Sequence, residues 1–294
     1  MDTRTDISGY QAEEDELLPF SQVSDYTDYL PSAMLRTRLA NRTFLTLGAA
    51  SVMTHPAFND LAPGIRLNYA EKSARSGNPD LEPFRANQYL SELMWVYNGL
   101  RLTANLTYRD VDTFFALGEE SYEVDDDIFL LTRPVNGEDG SILTAGLALD
   151  QNLARLNRNL RNYSVSLSWI HNHSRTEMKD PLTGETLPMP NTAEHVARAQ
   201  LAYGGKTFSG KLSYQWRGKA LKAPVSQSGL SVWNQPTGNL NLNLGWNLEN
   251  GLRITLDGRN LLAEEQVQTT DVSYQVWRIT ERDRMVALTV QAKW

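Results

Sequence analysis

Residues 239–248 read Asn-Leu-Asn-Leu-Asn-Leu-Gly-Trp-Asn-Leu, with every second residue apolar and Asn or Gly between. A period of two puts successive side chains on opposite faces of an extended strand, whereas a helix needs 3.6. Such a run requires a sheet with one apolar and one strongly polar face. The pattern restarts after Asn250-Gly251, a dipeptide that favours a tight hairpin. Leu252, Ile254 and Leu256 then alternate with Arg253, Thr255 and Asp257. The chain ends the same way, with Val286, Leu288, Val290, Ala292 and Trp294 against Ala287, Thr289, Gln291 and Lys293.

The same theme recurs upstream. Strands are expected near 34–39 and 43–53, joined at Asn41-Arg42 and stopped at His55-Pro56, where proline removes a ladder donor. Residues 89–97 lead through Asn98-Gly99 into Leu100, Leu102, Ala104, Leu106 and Tyr108, alternating with Arg101, Thr103, Asn105, Thr107 and Arg109. Further strands are expected at 142–149, at 163–169, and at 194–203 and 206–217 around Gly204-Gly205. Residues 151–162 are ambiguous, with Asn157-Arg158-Asn159 suggesting a turn. The acidic residues 1–25 read as a polar loop or frayed end. The total is about twelve strands with no amphipathic helix, an all-β antiparallel meander.

Connections alternate in length. Short turns fall near 41, 98, 204, 250 and 283, and long ones near 59–83, 119–141, 174–192, 218–235 and 261–271. In a meander, alternate connections emerge at opposite ends of the sheet. Short turns therefore share one rim and long loops the other, as in a transmembrane β-barrel. Periodicity leaves two architectures open. A soluble sandwich binding module buries the apolar face, whereas a membrane barrel turns it to lipid and the polar face to a lumen. A smaller barrel acting as a passive pore fits the same pattern.

Composition narrows the function classes. The chain is 41% apolar and 21% charged, which argues against disorder. No apolar run is long enough for a spanning helix. A net charge of −7 without a dense basic patch does not support nucleic-acid binding. Cysteine is absent, so thiolate chemistry and disulfides are excluded. No nucleophile elbow, His-Glu-x-x-His or phosphate-cradling loop occurs, so no enzyme chemistry, cofactor or catalytic residue is expected. The first residues, Met1-Asp2-Thr3-Arg4-Thr5-Asp6, lack the apolar core of a leader.

Gly77-Asn78-Pro79-Asp80-Leu81-Glu82-Pro83 resembles the Asn-Pro-Asp/Asn-Leu-x-Pro segment of TonB-dependent outer-membrane receptors, where it precedes a barrel strand. Leu30-Pro31-Ser32 is similar to the family's Leu-Pro-Ser approach to a strand. The passage from Met53 to Leu61, with Pro56 and Phe58, resembles its Arg-Pro-x-Phe-x-x-Leu stretch, with His55 where Arg is usual. Asn260-Leu261 resembles a motif near the end of the barrel, and Trp294 the closing aromatic residue. Order and spacing carry the resemblance over nearly the whole chain, against only the C-terminal part of a receptor.

The resemblance implies a partial barrel of a presumed 22 strands, with short periplasmic turns and long external loops. The plug domain, the TonB-contacting segment, a signal peptide and about ten strands would lie outside these residues. It implies a bacterial outer-membrane receptor that binds a scarce ligand, such as a siderophore, vitamin or carbohydrate, and imports it with TonB-transmitted energy. Expected partners are outer-membrane lipid, the small-molecule ligand and, for a full-length receptor, the TonB complex. A monomer is expected.

Arg101, Arg109, Lys211, Arg217, Arg253, Asp257 and Arg259 are then expected to face the lumen or plug. Tyr69, Arg75, Phe129, Arg133 and Trp233, in external loops, are the expected ligand contacts. Tyr108, Tyr163, Trp169, Trp216 and Trp246 suit an aromatic belt at the lipid interface. His171 and His173 share parity with Leu167 and Trp169, so a rim position is simpler for them than a metal site with Glu177 or His195. Asp125, Asp126 and Asp127 lack calcium-loop spacing and read as a solvated loop, so no metal site is expected.

Overall fold

The computed structural model describes residues 2–13, 16–124, 127–224, 226, 229–248, 251–272 and 275–292. Asn250, Asp125, Asp126 and Trp294 lie outside the described residues.

The N-terminal stretch is a hairpin rather than a frayed end. β1 (Asp2–Glu13) pairs antiparallel with β2 (Glu16–Thr27) in a two-stranded sheet of their own. Period two is present there too, but Asp2, Arg4 and Asp6 alternate with Thr3, Thr5 and Ile7, so hydropathy conceals it. Thr27 Oγ1 donates to Asp2 Oδ1 at 2.8 Å and ties the open end.

The chain continues through β3 (Ser32–Ala40), β4 (Thr43–Thr54), a single helical turn α1 (Phe58–Leu61), β5 (Arg66–Asn68), β6 (Ser73–Arg75) and β7 (Phe84–Tyr97). β8 (Leu100–Val124) and β9 (Asp127–Asn152) follow, then β10 (Tyr163–Thr176), β11 (His195–Gly204), β12 (Phe208–Arg217), β13 (Ala220–Ala223) and β14 (Val232–Asn234). β15 (Thr237–Asn247), β16 (Leu252–Arg259), β17 (Gln266–Thr270), β18 (Val276–Thr280) and β19 (Met285–Ala292) complete it. The wall is antiparallel, in the order β19-β16-β15-β12-β11-β10-β9-β8-β7-β4-β3, with β5 and β6 attached beside β9. Among the described residues β3 and β19 remain its two edges, so the barrel is not closed.

The structure corrects the sequence expectations for 119–141 and for the turn near 283, and bears out a turn at Asn157. Residues 119–141 are not a loop: β8 and β9 stay paired from Leu100↔Gln151 out to Val124↔Asp127. At about 3.3 Å per residue, a 25-residue strand extends roughly 80 Å, far beyond a bilayer core of about 30 Å. Residues 151–162 contain two short 3₁₀ turns, each opened by an Asn side chain, Asn152 and Asn157, accepting from the amide two residues on. In chain order this is the third connection on the short-turn rim, after those at 41 and 98. The turn near 283 belongs to the opposite rim, because Val276–Thr280 joins a separate sheet, β13-β14-β17-β18, built from the loops. α1 is also an unexpected helical turn, four residues long.

Exposure discriminates between the two architectures. Leu93, Leu102, Leu147, Leu167, Leu201 and Leu212 lie on one face of the wall and are all exposed, Leu147 to 58%. A sandwich would bury that face; here it forms one uncovered apolar surface, as a lipid-facing wall does. Side-chain core exists instead where external connections fold back. Val111, Phe114, Ala116 and Ile142 pack with Met189 from the 177–194 loop. The ladder skips from Val111↔Gly140 to Thr113↔Glu138, and Asp139 takes φ +48°. Past that irregularity the inward set changes from Val111 to Phe114 and Ala116. No helix among the described residues is long and apolar enough to cross a membrane, which says nothing about strands.

Candidate functional site

The polar face of the wall is built from cross-strand rows. Arg101 faces Asp150 at 3.3 Å, and Ser166 Oγ donates to the same carboxylate at 2.7 Å. Arg109 Nε donates to Gln88 Oε1 at 2.8 Å. Asn243 Nδ2 donates to Asp257 Oδ1 at 2.6 Å, while Lys211 is the register partner of Asn243 on the other side. Arg253 and Arg259 are exposed on the same face of β16, and Arg217 donates to the carbonyl of Asn191 in a folded-in loop. All seven expected polar-face residues therefore lie on one face.

The opposite face carries two aromatic tiers. Tyr203 lies between Tyr163 and Phe208 near the short-turn rim, where Phe208 opposes Trp246. Tyr89 stacks on Tyr108 nearer the loops, and Trp169 and Trp216 share one row across Ala197. Phe208 and Trp216 are eight residues apart on β12, about 26 Å along the strand; at a tilt of about 40° that is about 20 Å of height, within an apolar band about 25 Å tall. A shallow apolar hollow of ≈ 780 Å³ lined by Leu93, Leu102, Leu147 and Trp169 lies on this face.

At the long-loop rim three elements of structure present polar groups. The first is the extended β8–β9 hairpin with β6 beside it, Ser73↔Leu130 to Arg75↔Thr132 in parallel. Tyr69 and Arg75 are exposed there, and exposed Arg133 pairs with Glu120 at 3.2 Å. Phe129 is fully buried among Ala74, Leu131 and Tyr122, with the Tyr69 ring edge-on at 5.1 Å. It packs the loop and offers no surface to a ligand, which corrects the expectation for it.

The second element is a cationic cluster that spacing does not reveal. Lys222 on β13 is half-buried, with Arg75, Arg278 and Glu119 around it. Burial lowers its pKa most; Glu119 opposes this, and Arg278 and Arg75 lower it further. Glu119 Oε2 is buried without a hydrogen-bond partner among the described residues. Nearby, a polar recess of ≈ 250 Å³ opens on the inner face between Gln215, Arg217, Asn234, Asn239, Asn241 and Arg282. Asn239 Oδ1 is also buried there without a partner.

The third is a carboxylate clamp between loops. Asp180 accepts from the Leu182 and Thr183 amides at 2.9 and 2.7 Å and from Ser231 Oγ at 3.1 Å. Asp271 accepts from the Ser231 amide at 2.9 Å and from the Trp233 indole. Burial resists ionisation of Asp180, but those amides, Asp271 and Ser231 hold its pKa below the ordinary value. Trp233 is thus anchored, half-buried, with Lys219 Nζ 4.2 Å from its ring centre.

The motif residues act as hydrogen-bond hubs. Asn78 Oδ1 accepts from the Asp80 amide at 2.9 Å, and its Nδ2 donates to Pro134 O at 3.2 Å. Leu81 is buried against Leu61 and Phe115, and Pro83 O accepts from Thr113 Oγ1. Any Cβ on Gly77 would sit 2.4 Å from Ala62 O, so only glycine fits there. Pro31 O accepts from the Ser51 amide at 3.0 Å, between Leu30 and Ser32 at the start of β3. Pro56 and Phe58 introduce α1, with Phe58 exposed. Asn260, at φ +50°, takes the Asn241 side chain on its amide at 3.1 Å and donates to Arg282 O at 2.8 Å, while the Leu261 amide bonds Leu240 O at 2.9 Å.

Residues 3–261 match the model of the family described as "TonB dependent receptor-like, beta-barrel". The chain belongs to this TonB-dependent receptor family. Three solved receptors share its fold. The ferric-catecholate import receptor Fiu of E. coli K12 has a TM-score of 0.58 at 16% identity, over 98% of this chain and 40% of that one. The copper transporter OprC also has 0.58, at 14% identity, over 96% and 42%. The ferric enterobactin receptor PfeA of Pseudomonas aeruginosa has 0.54 at 15% identity, over 84% and 37%, in a Q482A mutant bound to enterobactin. The chain spans about two fifths of the length of these receptors. No curated relative matches. At such identities the likeness shows fold alone. The aromatic tiers and polar rows of this receptor wall follow from its own residues.

Proposed function

We propose that this chain supplies barrel wall and external loops to a bacterial outer-membrane receptor for TonB-driven uptake of a scarce, anionic small molecule such as a metal chelate. The observation that carries the ligand class is the cluster of Lys222, Arg75 and Arg278 at the loop rim. In a chain of net charge −7, half-buried Lys222 sits with exposed Arg75 and Arg278; burial lowers its pKa most, and repulsion from the two arginines lowers it further. An incoming anion relieves that repulsion and gains charge-assisted hydrogen bonds. Below it, the recess at Arg217, Asn239 and Arg282 offers a second set of polar groups on the inner face. Enterobactin, bound in the PfeA structure, and ferric citrate, carried by the fold neighbour FecA, belong to this class. No covalent step is involved. Binding is read by the loops and the inner wall, and energy comes from the TonB complex.

Uptake of radiolabelled ferric catecholate, ferric citrate, cobalamin and maltodextrin by cells expressing the protein, with and without TonB, tests this. The reading expects saturable, TonB-dependent accumulation of one of the anionic chelates, reduced in Lys222→Met and Arg75→Ala. TonB-independent diffusion of all four, or preference for the neutral sugar, contradicts it.

A further inference from the structure

One group on the outward face is used neither by the apolar surface nor by the transport reading. His171 on β10 and His195 on β11 are direct cross-strand partners, with ring centroids 4.8 Å apart. Glu194 precedes His195, and its carboxylate is 3.5 Å from His195 Nε2. One ligand atom from each of the three side chains lies within 4.8 Å of the others. Nδ1 of each ring is buried and has no hydrogen-bond partner among the described residues. Trp169 stacks on both rings, at 6.1 and 5.7 Å.

The backbone beneath them is held on several sides. The Asn172 amide donates to Glu194 O at 2.7 Å, and Asn172 Nδ2 to Ala193 O at 2.8 Å. Thr144 Oγ1 fixes the Asn172 side chain at 2.7 Å, and the Gly218 amide bonds His195 O at 2.8 Å. Ligands whose supports are already in place lose little freedom on capturing an ion.

We infer that His171, Glu194 and His195 form a binding site for a divalent transition ion of the zinc type, on the outward wall at the base of the 177–194 loop. Two imidazoles and one carboxylate are ligands of the borderline-soft ions, whereas calcium and magnesium take oxygen. Tetrahedral bonds of about 2.0–2.1 Å require ligand atoms about 3.4 Å apart. The present span of up to 4.8 Å has to close to that distance by side-chain rotation when an ion binds. Glu194 and His195 side chains are 66% and 37% exposed, so an ion and a completing water can reach the site. Bound metal would cross-link β10 to β11 and stiffen the loop between them. The site lies on the opposite face from the recess and cationic cluster, so it stands or falls independently of the transport reading.

Zinc titration of the chain in detergent micelles by calorimetry, with X-ray absorption at the zinc edge of the loaded protein, tests the assignment. The expected result is one bound ion with two imidazole ligands. Affinity should fall about tenfold or more in His171→Ala and His195→Ala, and less in Glu194→Gln. His173→Ala, two residues on and outside the cluster, should bind as the parent does. Absence of binding, fewer than two imidazoles in the absorption spectrum, affinity undiminished from the parent in His171→Ala or His195→Ala, or an equal loss in His173→Ala would each overturn it. The spectrum is taken on the unsubstituted chain, so it decides the question even if a variant does not fold.

Discussion

The Phe114 ring lies on the backbone of its cross-strand partner Gly137, so close that an added Cβ would fall 2.4 Å from the ring carbons. This contact joins the extended hairpin to the inward-folded 177–194 loop, since Phe114 also packs with Met189. Gly137→Val should displace the ring, and Phe114→Ala should empty the same space. Each should destabilise the loop assembly, Phe114→Ala by about 3 kcal/mol. Hydrogen exchange in micelles should show faster exchange in 113–139 and 177–194 for both variants, with β15 and β16 unchanged. Uniform acceleration along the whole wall would argue against a local core.

Acid should loosen the loops through Asp180. Its folded pKa lies below the ordinary value of about 3.8, so its stabilisation is complete above that value and is lost as pH falls through the lower, folded one. Protease resistance of the 177–194 loop should therefore hold from neutral pH to about pH 4 and drop below it. Asp180→Asn should be cleaved readily at neutral pH and lose that acid step. Resistance that begins to fall near pH 6 would point to a histidine instead.

Lys222 should show opposed effects on stability and binding. Its charge is resisted by burial and by Arg278 and Arg75, so Lys222→Met should leave stability unchanged or raise it by no more than about 1 kcal/mol, the gain being limited by remaining solvent contact. The same variant should bind the anionic chelate more weakly. Thermal unfolding monitored by heat-modifiable gel migration, alongside ligand titration, separates the two. Loss of both would make Lys222 a structural residue.

Asn260 combines a left-handed backbone with hydrogen bonds at both ends of the 260–284 connection. Asn260→Gly keeps the conformation and loses the side-chain bond to Arg282 O, at about 1 kcal/mol. Asn260→Ala loses that bond and also strains φ, so it should cost more. Unfolding midpoints for the pair check the order, and equal midpoints would show that the backbone angle contributes nothing.

The wall was legible because Leu240, Leu242 and Leu244, or Leu102, Ala104 and Leu106, announce a period of two without tertiary help. The β8–β9 extension was not legible. Asp125 to Asp127, Pro134, Gly137 and Gly140 have the composition of a loop, yet Gly137 is there to accommodate a ring and the ladder passes through Pro134↔Leu117. β1 was hidden because its sequence lacks the apolar alternation of the wall strands. Phe129 was misplaced because an aromatic in a loop can form that loop's own core. Arg75, Glu119, Lys222 and Arg278 meet only after four distant segments fold, so no spacing could have grouped them. Asn78 and Asn260 stood out as family marks, and the structure gives their physical role as hubs between segments.

The central claim is that the apolar face meets lipid and the polar face a wet lumen. The chain contains no cysteine, so single substitutions along β12 give an unambiguous reading. Leu212→Cys and Tyr214→Cys, spin-labelled in proteoliposomes, should be relaxed by oxygen dissolved in the bilayer. Lys211→Cys, Ser213→Cys and Gln215→Cys should instead respond to a water-soluble nickel chelate. A strict alternation in that sense is the predicted result. Labels at Leu212 and Tyr214 that see only water, or no alternation at all, would contradict a lipid-facing barrel wall.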